Sequence, residues 1–429
     1  MRRALPLAVC WAMAALDAQS DLPPDLLLLA RIKVRMEENL TRLPNYTCVQ
    51  TIERSRRRAP DHRFELVDTL RLEVALVNNQ ELFAWPGAKG FEERELSEMV
   101  GGGTIGNGSF ALHAKSVFLS PSPTYRYVGE EEINGRPAAR FDYNVTQMMS
   151  GYRLKVPPNS AIVAYFGSFW VDRETLDLIR LVVKADDIPP HLGILRVSDS
   201  MDYARMPIGE SEFLLPQASE LVMTGFDGSE SRNRTRFSNC RQYLGESALS
   251  FADPPDLPVA PPAEPQPLVL PAGAPMELQL ETEIDTERAA VGDPVQALLA
   301  RPIKREKREV APKGATVLGR IVGLKKHTQP YDHFEVWLSF DTLEFGGRRA
   351  EFRATMKEAG PAHGLLSGDQ PAGFQHGVAG ARRIERVVVD PIPGKGTLIW
   401  KGSHPRVPRG LRMLWIIDAG EAPQATAPR

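Results

Sequence analysis

Apolar positions near the start of the chain recur at spacings of three and four: Leu22, Leu26, Leu29, Ile32, Met36, Leu40 and Leu43. That is one face of a helix, which needs a sheet to cover it. A period of two follows. Leu66, Leu70, Leu72, Val74 and Leu76 share one parity, with Asp68 the exception, and Arg71 and Glu73 point the other way. This predicts a half-buried strand. Asn78-Asn79 predicts a turn into a strand at Glu81–Trp85. Tyr125–Glu132 and Ala138–Val145 flank Asn134-Gly135, a pair suited to a hairpin turn with positive φ at both central positions. Further strands are predicted at Val163–Asp172, Leu178–Ala185, Glu220–Gly225 and Thr235–Tyr243, and short helices at Glu92–Val100 and Ser109–Phe118. The sum is an α+β domain, an antiparallel sheet with helices on one face.

Beyond residue 275 the pattern is all-β. Short apolar runs lie at Leu278–Ile284, Val295–Leu299, Thr316–Val322, Phe334–Phe345, Ala350–Met356, Thr397–Lys401 and Leu411–Ile417, separated by glycine-containing turns. They predict a small closed or nearly closed barrel. Gly360–Gly380, with six glycines and no period, predicts a long inserted loop. Between the two patterned regions, nine of the 23 residues from Asp253 to Pro275 are proline, which suits a semi-rigid spacer. The expected division is therefore a domain at 21–252, a linker at 253–275, a β-barrel-like domain at 276–418 and a frayed tail at 419–429.

Composition narrows the class. The chain has 429 residues, 42% hydrophobic and 25% charged, with 52 basic and 54 acidic side chains and a net charge of −2. No global positive field argues for a nucleic-acid partner. Residues 1–20 join Arg2-Arg3 to a short apolar run and small residues, the pattern of a secretory signal peptide. No later run is long and apolar enough to span a bilayer. A soluble periplasmic or secreted protein is expected. Export would remove Cys10 and leave Cys48 and Cys240, read as one disulfide, the alternative being two buried thiols.

The first domain resembles an exported bacterial family. The residues that carry the likeness are Leu43–Cys48 after a helix, Tyr127–Arg136, Gly167–Asp172 with Thr175-Leu176, and Phe237–Tyr243. They are similar to uncharacterised relatives of the periplasmic lipoprotein-carrier and sigma-factor-regulator fold. That resemblance implies a curved antiparallel half-barrel wrapped over helices, with an apolar cavity, and carries no catalytic motif. Val291–Ala297 and Ala311–Arg320 resemble, more weakly, the β-barrel of conjugation and type IV secretion channel proteins, without those proteins' transmembrane anchor.

Chemistry-bearing motifs are sparse. Gly101–Gly106 matches G-x-G-x-x-G but lacks the strand–turn–helix setting of a dinucleotide site, and a loop is expected. His327 and His333 flank Asp332, the best metal candidate by proximity, yet histidines so spaced on a loop are more often solvated; no metal, cofactor or catalytic residue is assigned. Basic clusters at Arg54–Arg58 and Arg301–Arg308 suit solvated loops or contact with anionic headgroups. Five glycosylation-type sequons, at Asn39, Asn45, Asn107, Asn144 and Asn233, read as chance matches in a bacterial protein. The aromatics Phe83, Trp85, Phe118, Tyr165, Phe166, Phe169 and Trp170 gather around one sheet, either as core or as the lining of a cavity. On Val163–Asp172 only one of the pairs Tyr165/Phe169 and Phe166/Trp170 can face the helices. The expectation is a non-catalytic envelope protein that binds or senses a lipid, acyl chain or lipoprotein, with peripheral membrane contact and an envelope protein partner open. The alternative is a scaffold without a small ligand.

Overall fold

The computed structural model describes residues 22–243, apart from 60–62, 79, 89, 92–95 and 101, and residues 266–419, apart from 307, 367–386 and 389–390. The expected signal peptide, most of the proline-rich spacer and nearly all of the tail lie outside these. The described chain is mostly strand. In the first unit a ten-stranded antiparallel sheet has the order β3-β2-β1-β12-β11-β10-β9-β8-β5-β4. Its strands are β1 (Tyr46–Arg57), β2 (Glu65–Val77), β3 (Gln80–Ala84), β4 (Thr124–Ile133) and β5 (Arg136–Val145), then β8 (Ala164–Asp172), β9 (Leu178–Asp186), β10 (Ile194–Ile208), β11 (Ser211–Gly225) and β12 (Glu230–Gln242). A separate hairpin, β6 (Arg153–Val156) and β7 (Asn159–Ile162), packs beside it. The sheet curls over α1 (Pro24–Thr41), α2 (Leu96–Met99) and α3 (Leu112–Phe118).

Local chemistry explains several of these elements. Pro24 opens α1, where a missing N–H costs nothing. Its buried stripe is Leu28, Ile32, Met36 and Leu40; Leu22 and Leu26, expected on that face, are exposed because the inward face begins a turn later. Asn134 and Gly135 have φ of 52° and 75°, as the turn between β4 and β5 requires. β10 and the first half of β11 were not legible as strands. Bulges at Ile194/Arg196 and Asp202/Tyr203 break the alternation, and buried Asp199 interrupts the apolar parity. Arg54–Arg57 is likewise strand and not the expected loop. Cys48 and Cys240 are bonded, with Cα atoms 4.1 Å apart. They do not tie the two edges of the sheet. They join the first and last strands of the unit, which are already neighbours in its interior.

The second unit has its own core around Trp415, Phe340 and Leu338. Its strands are β13 (Gln266–Pro267), β14 (Pro275–Leu280), β15 (Ile284–Asp285), β16 (Pro294–Leu299), β17 (Ile303–Arg305), β18 (Arg308–Ala311), β19 (Thr316–His327), β20 (His333–Phe345) and β21 (Arg348–Glu351), followed by β22 (Ala354–Ala359), β23 (Leu365–Leu366), β24 (Val387–Val388), β25 (Gly396–Lys401), β26 (Arg406–Val407) and β27 (Arg412–Ile417). The main path runs β13-β21-β20-β19-β16-β14-β27-β22-β24, with β25 on the other side of β20. The end of the expected spacer belongs to this unit, because β13 pairs with β21 and Leu270 is buried in the core. The units touch. Val291 forms a parallel bridge with Leu70 at the part of β2 that β3 leaves uncovered, and Arg71 Nη1 donates to both carboxylate oxygens of Asp293 at 2.5 and 2.6 Å. Gly292, at φ 102°, permits this approach: a Cβ there would lie 2.3 Å from the Arg71 carbonyl oxygen.

Candidate functional site

The concave face of the first sheet is the candidate site. Its apolar part divides into two clusters. One lies under α1 and α3 and includes Phe141, Phe169, Tyr165 and Phe118; the other joins Tyr46, Phe83 and Phe110 to the strands around the disulfide. Phe169 stacks on Phe141 at 5.4 Å between centroids, and Phe118 meets it edge-on at 5.0 Å. Tyr165 and Phe169 are thus the inward pair of β8. Strand alternation sends Phe166 and Trp170 to the other face, where the Trp170 indole donates to Glu131 at 2.8 Å and Arg140 lies over its ring. Phe83 belongs to the second cluster, and Trp85 sits at the contact between the units, against Gly292 and with Arg320 over its ring. The seven aromatics therefore do not line one cavity; Phe118, Tyr165 and Phe169 are brought together and the other four are dispersed. A depression of about 390 Å³ beside Val34 and Leu176 and one of about 470 Å³ beside Thr355 and Ile416 are lined by none of the seven.

Across the concave face runs a single row of cross-strand partners: Asp68, Arg54, Asn233, Leu221, Asp199, Val183, Gly167, Tyr143 and Tyr125. The chain from Gly102 to Phe118 crosses the strands along this row. Asp68, the polar exception on β2, accepts two hydrogen bonds from Arg54 at 2.5 and 2.7 Å. Arg54 Nη1 also donates to the Gly102 carbonyl at 2.6 Å, and Asn233 Nδ2 donates to the Thr104 carbonyl at 2.9 Å. Gly106 lies against Leu221, where a Cβ would come within 2.8 Å of Cδ2. Ser109 Oγ donates to Asp199 Oδ2 at 2.8 Å, and the Tyr125 hydroxyl donates to the Val117 carbonyl. Arg54, Asn233, Leu221, Asp199 and Tyr125, in row order, thus meet residues 102, 104, 106, 109 and 117 of the crossing segment. Gly103 and Gly106 of the G-x-G-x-x-G match serve this close approach; Gly101 lies outside the described residues.

Glu81 adds a latch from β3. Its carboxylate accepts from the backbone N–H of Gly108, Ala111 and Leu112 at 2.7, 2.9 and 3.3 Å. Ala111 and Leu112 are orphan donors at the start of α3, so a side chain distant in sequence does the work of a cap. Burial raises the pKa of Asp199 above the ordinary carboxylate value, against the opposing pull of His113 and the Ser109 hydrogen bond. Burial also pushes the Tyr46 and Tyr203 hydroxyls well up, with Glu81 adding to both and Asp199 adding to Tyr203.

Ser109, His113 and Asp199 put the residue types of a nucleophilic relay together. The order is wrong for one: Ser109 bonds the carboxylate directly, and His113 Nε2 stands 3.7 Å from the same oxygen. All three side chains are buried. A relay needs the imidazole to take the hydroxyl proton at a surface open to substrate. This triplet instead fixes the crossing segment to the sheet. Sequence reasoning missed it together with Glu81. The available signal was Asp199, an acid on the inward parity of Val197, Met201 and Tyr203.

No family model matches the sequence, and no curated protein matches it. Among solved structures the chain is similar to a domain of an outer membrane lipoprotein-sorting protein from Vibrio parahaemolyticus, at 13% identity and a TM-score of 0.28 over 51% of this chain and 92% of that one. It is also similar to a DUF1329 family protein from Desulfovibrio piger, at 12% identity and a TM-score of 0.27 over the same shares. Likeness this distant leaves the functional argument to the chain's own geometry.

Proposed function

We propose that the first unit is a non-catalytic binding module of the cell envelope or extracellular space, which takes an apolar guest such as a lipid, an acyl chain or a lipidated protein against its concave face. The second unit is a β interaction module docked to it. The observation that carries this reading is the covering of the concave face. Two apolar clusters, each with buried aromatic rings, lie on the face that α1 and Gly102–Phe118 cover, and the bonds that hold this segment to the sheet run through side chains: Glu81, Arg54, Asn233, Asp199 and Tyr125. Such a cover can lift without breaking the strand ladder. A guest burying about eight methylenes would gain roughly 6 kcal/mol, before ordering costs. The Cys48–Cys240 bond fits an oxidising compartment, and no helix among the described residues is long and apolar enough to cross a membrane.

Titration of the purified protein with a fluorescent fatty acid, beside native mass spectrometry for co-purified lipid, tests the proposal. Saturable binding that strengthens in Glu81→Gln, where the latch is weakened, is the expected result. No saturable binding and no lipid would sink it. A second reading has its own support: α1 and α3 fill the concavity with side chains, as in a scaffold whose surfaces serve protein contacts alone.

A further inference from the structure

We propose that the far end of the β19–β20 ribbon binds a divalent transition-metal ion, zinc first, through His327, His333 and Glu335. His327 and His333 are direct cross-strand partners, and Glu335 lies two residues along β20 on the same face. One ligand atom from each residue lies within 4.8 Å of the others. The strands fix the backbones, so only side-chain rotation separates this arrangement from bonds of about 2.0–2.2 Å to a shared ion. The two rings lie parallel, with centroids 4.6 Å apart, and rotation about their soft terminal torsions is the movement that would turn both lone pairs toward a shared ion.

Two details point to a cation. The Tyr331 carbonyl, which can only accept, is 2.9 Å from His333 Nδ1. That nitrogen therefore carries the proton, and Nε2 offers its lone pair, the tautomer a metal-ligating histidine is given by its outer partner. His327 Nε2 is shielded from solvent with no hydrogen-bond partner, 3.4 Å from Glu335 Oε1. An ion would satisfy both atoms. Two imidazoles and one carboxylate suit zinc, copper or nickel rather than calcium or magnesium, and three protein ligands leave room for water. Asp332, between the histidines in sequence, is not part of the group. Opposing charge is limited: Lys325 faces Glu335 across the ladder but is exposed, and the Lys401 ammonium sits over the Tyr331 ring at 5.6 Å.

The test is calorimetric titration of the full, tag-free, chelator-stripped chain with zinc chloride, with magnesium chloride as the control. One saturable zinc site per chain is expected, unaffected by magnesium. His327→Ala, His333→Ala and Glu335→Gln each weaken it by at least about tenfold, while Asp332→Ala leaves it unchanged. Zinc heats that persist in the His327→Ala/His333→Ala double variant, or no saturable heat in the parent chain, would overturn the proposal. If a variant fails to fold, copper broadening of histidine ring signals in the unaltered protein decides. Selective loss of the His327 and His333 signals supports the site, and uniform loss across the eight histidines contradicts it.

Discussion

In the second unit the sheet turns back on itself until β22 approaches β25, where Met356 N–H donates to the Lys395 carbonyl at 3.2 Å. Gly396 makes that approach possible, since a Cβ there would meet Met356 Cβ at 2.6 Å and the Trp415 ring at 2.7 Å. The interior is then one apolar cluster. In the first unit the outer strands β3 and β4 do not pair, and the inward face is covered by α1 and Gly102–Phe118. Its interior divides into three apolar clusters, with the polar anchors Arg54, Asn233 and Asp199 along the row that crosses the sheet. A sheet that nearly closes needs only small residues at its seam. A sheet that stays open must be covered by chain outside its ladder, and that cover needs its own polar anchors. The anchors make it a separable part.

Substitutions in the two cores should have the largest effects. Phe169→Ala and Trp415→Ala each remove a fully buried ring, and each should cost about 3–5 kcal/mol. Followed by denaturant unfolding with near-ultraviolet and fluorescence probes, each loss should fall on one unit; an equal shift of a single shared transition would show one cooperative body. The cysteines come next. Cys48→Ser/Cys240→Ser opens a loop with a sequence separation of 192, which the chain-entropy view values at roughly 5 kcal/mol and measurement on other proteins at about 2–5 kcal/mol. The first unit alone should lose it, and added reductant should reproduce the loss in the parent protein.

Much of this contrast was legible in sequence. The strand parity of Leu70–Leu76, the Asn134-Gly135 hairpin and the glycine-punctuated strands of the second unit are local signals, and local signals survive folding; the disulfide, 192 residues apart, was legible because the expected export leaves just two cysteines. The transverse row was not legible, because its members come from nine different strands and meet only through register. Asp68 shows the limit. As an acid on an apolar parity it stood out as an exception, but nothing in the sequence says that Arg54, on what reads as a solvated basic loop, is its partner. The aromatic pair Tyr165/Phe169 could be named as one of two possibilities; choosing between them needed the helices in place.

Smaller effects are expected at the anchors. Arg54→Ala leaves Asp68 without its partner and frees the Gly102 carbonyl, and should cost about 2–3 kcal/mol, below the value for a fully buried pair because Asp68 keeps some exposure. Asp199→Asn acts through pH. The folded protein holds the Asp199 proton to higher pH than the unfolded chain does, because burial raises its pKa. Its contribution to stability is therefore full below the ordinary carboxylate range and is lost as pH rises through the raised value. The asparagine, which does not ionise, should flatten that fall in a series of urea midpoints against pH; an unchanged slope would remove Asp199 as its source. Arg71→Ala, at the contact between the units, should cost about 1 kcal/mol or less, since both partners are partly exposed.

Gly102–Phe118 is held to the sheet by side chains, and it should open without the sheet. Native-state hydrogen exchange read by mass spectrometry tests this, by comparing peptides covering 102–118 with peptides covering β8 and β9. The crossing segment should exchange through a low-energy opening of its own, faster than the strands, and faster still in Glu81→Gln while β8 and β9 stay unchanged. Exchange of the segment at the rate of the strands, in both the parent and the variant, would show instead that it opens only when the whole unit unfolds.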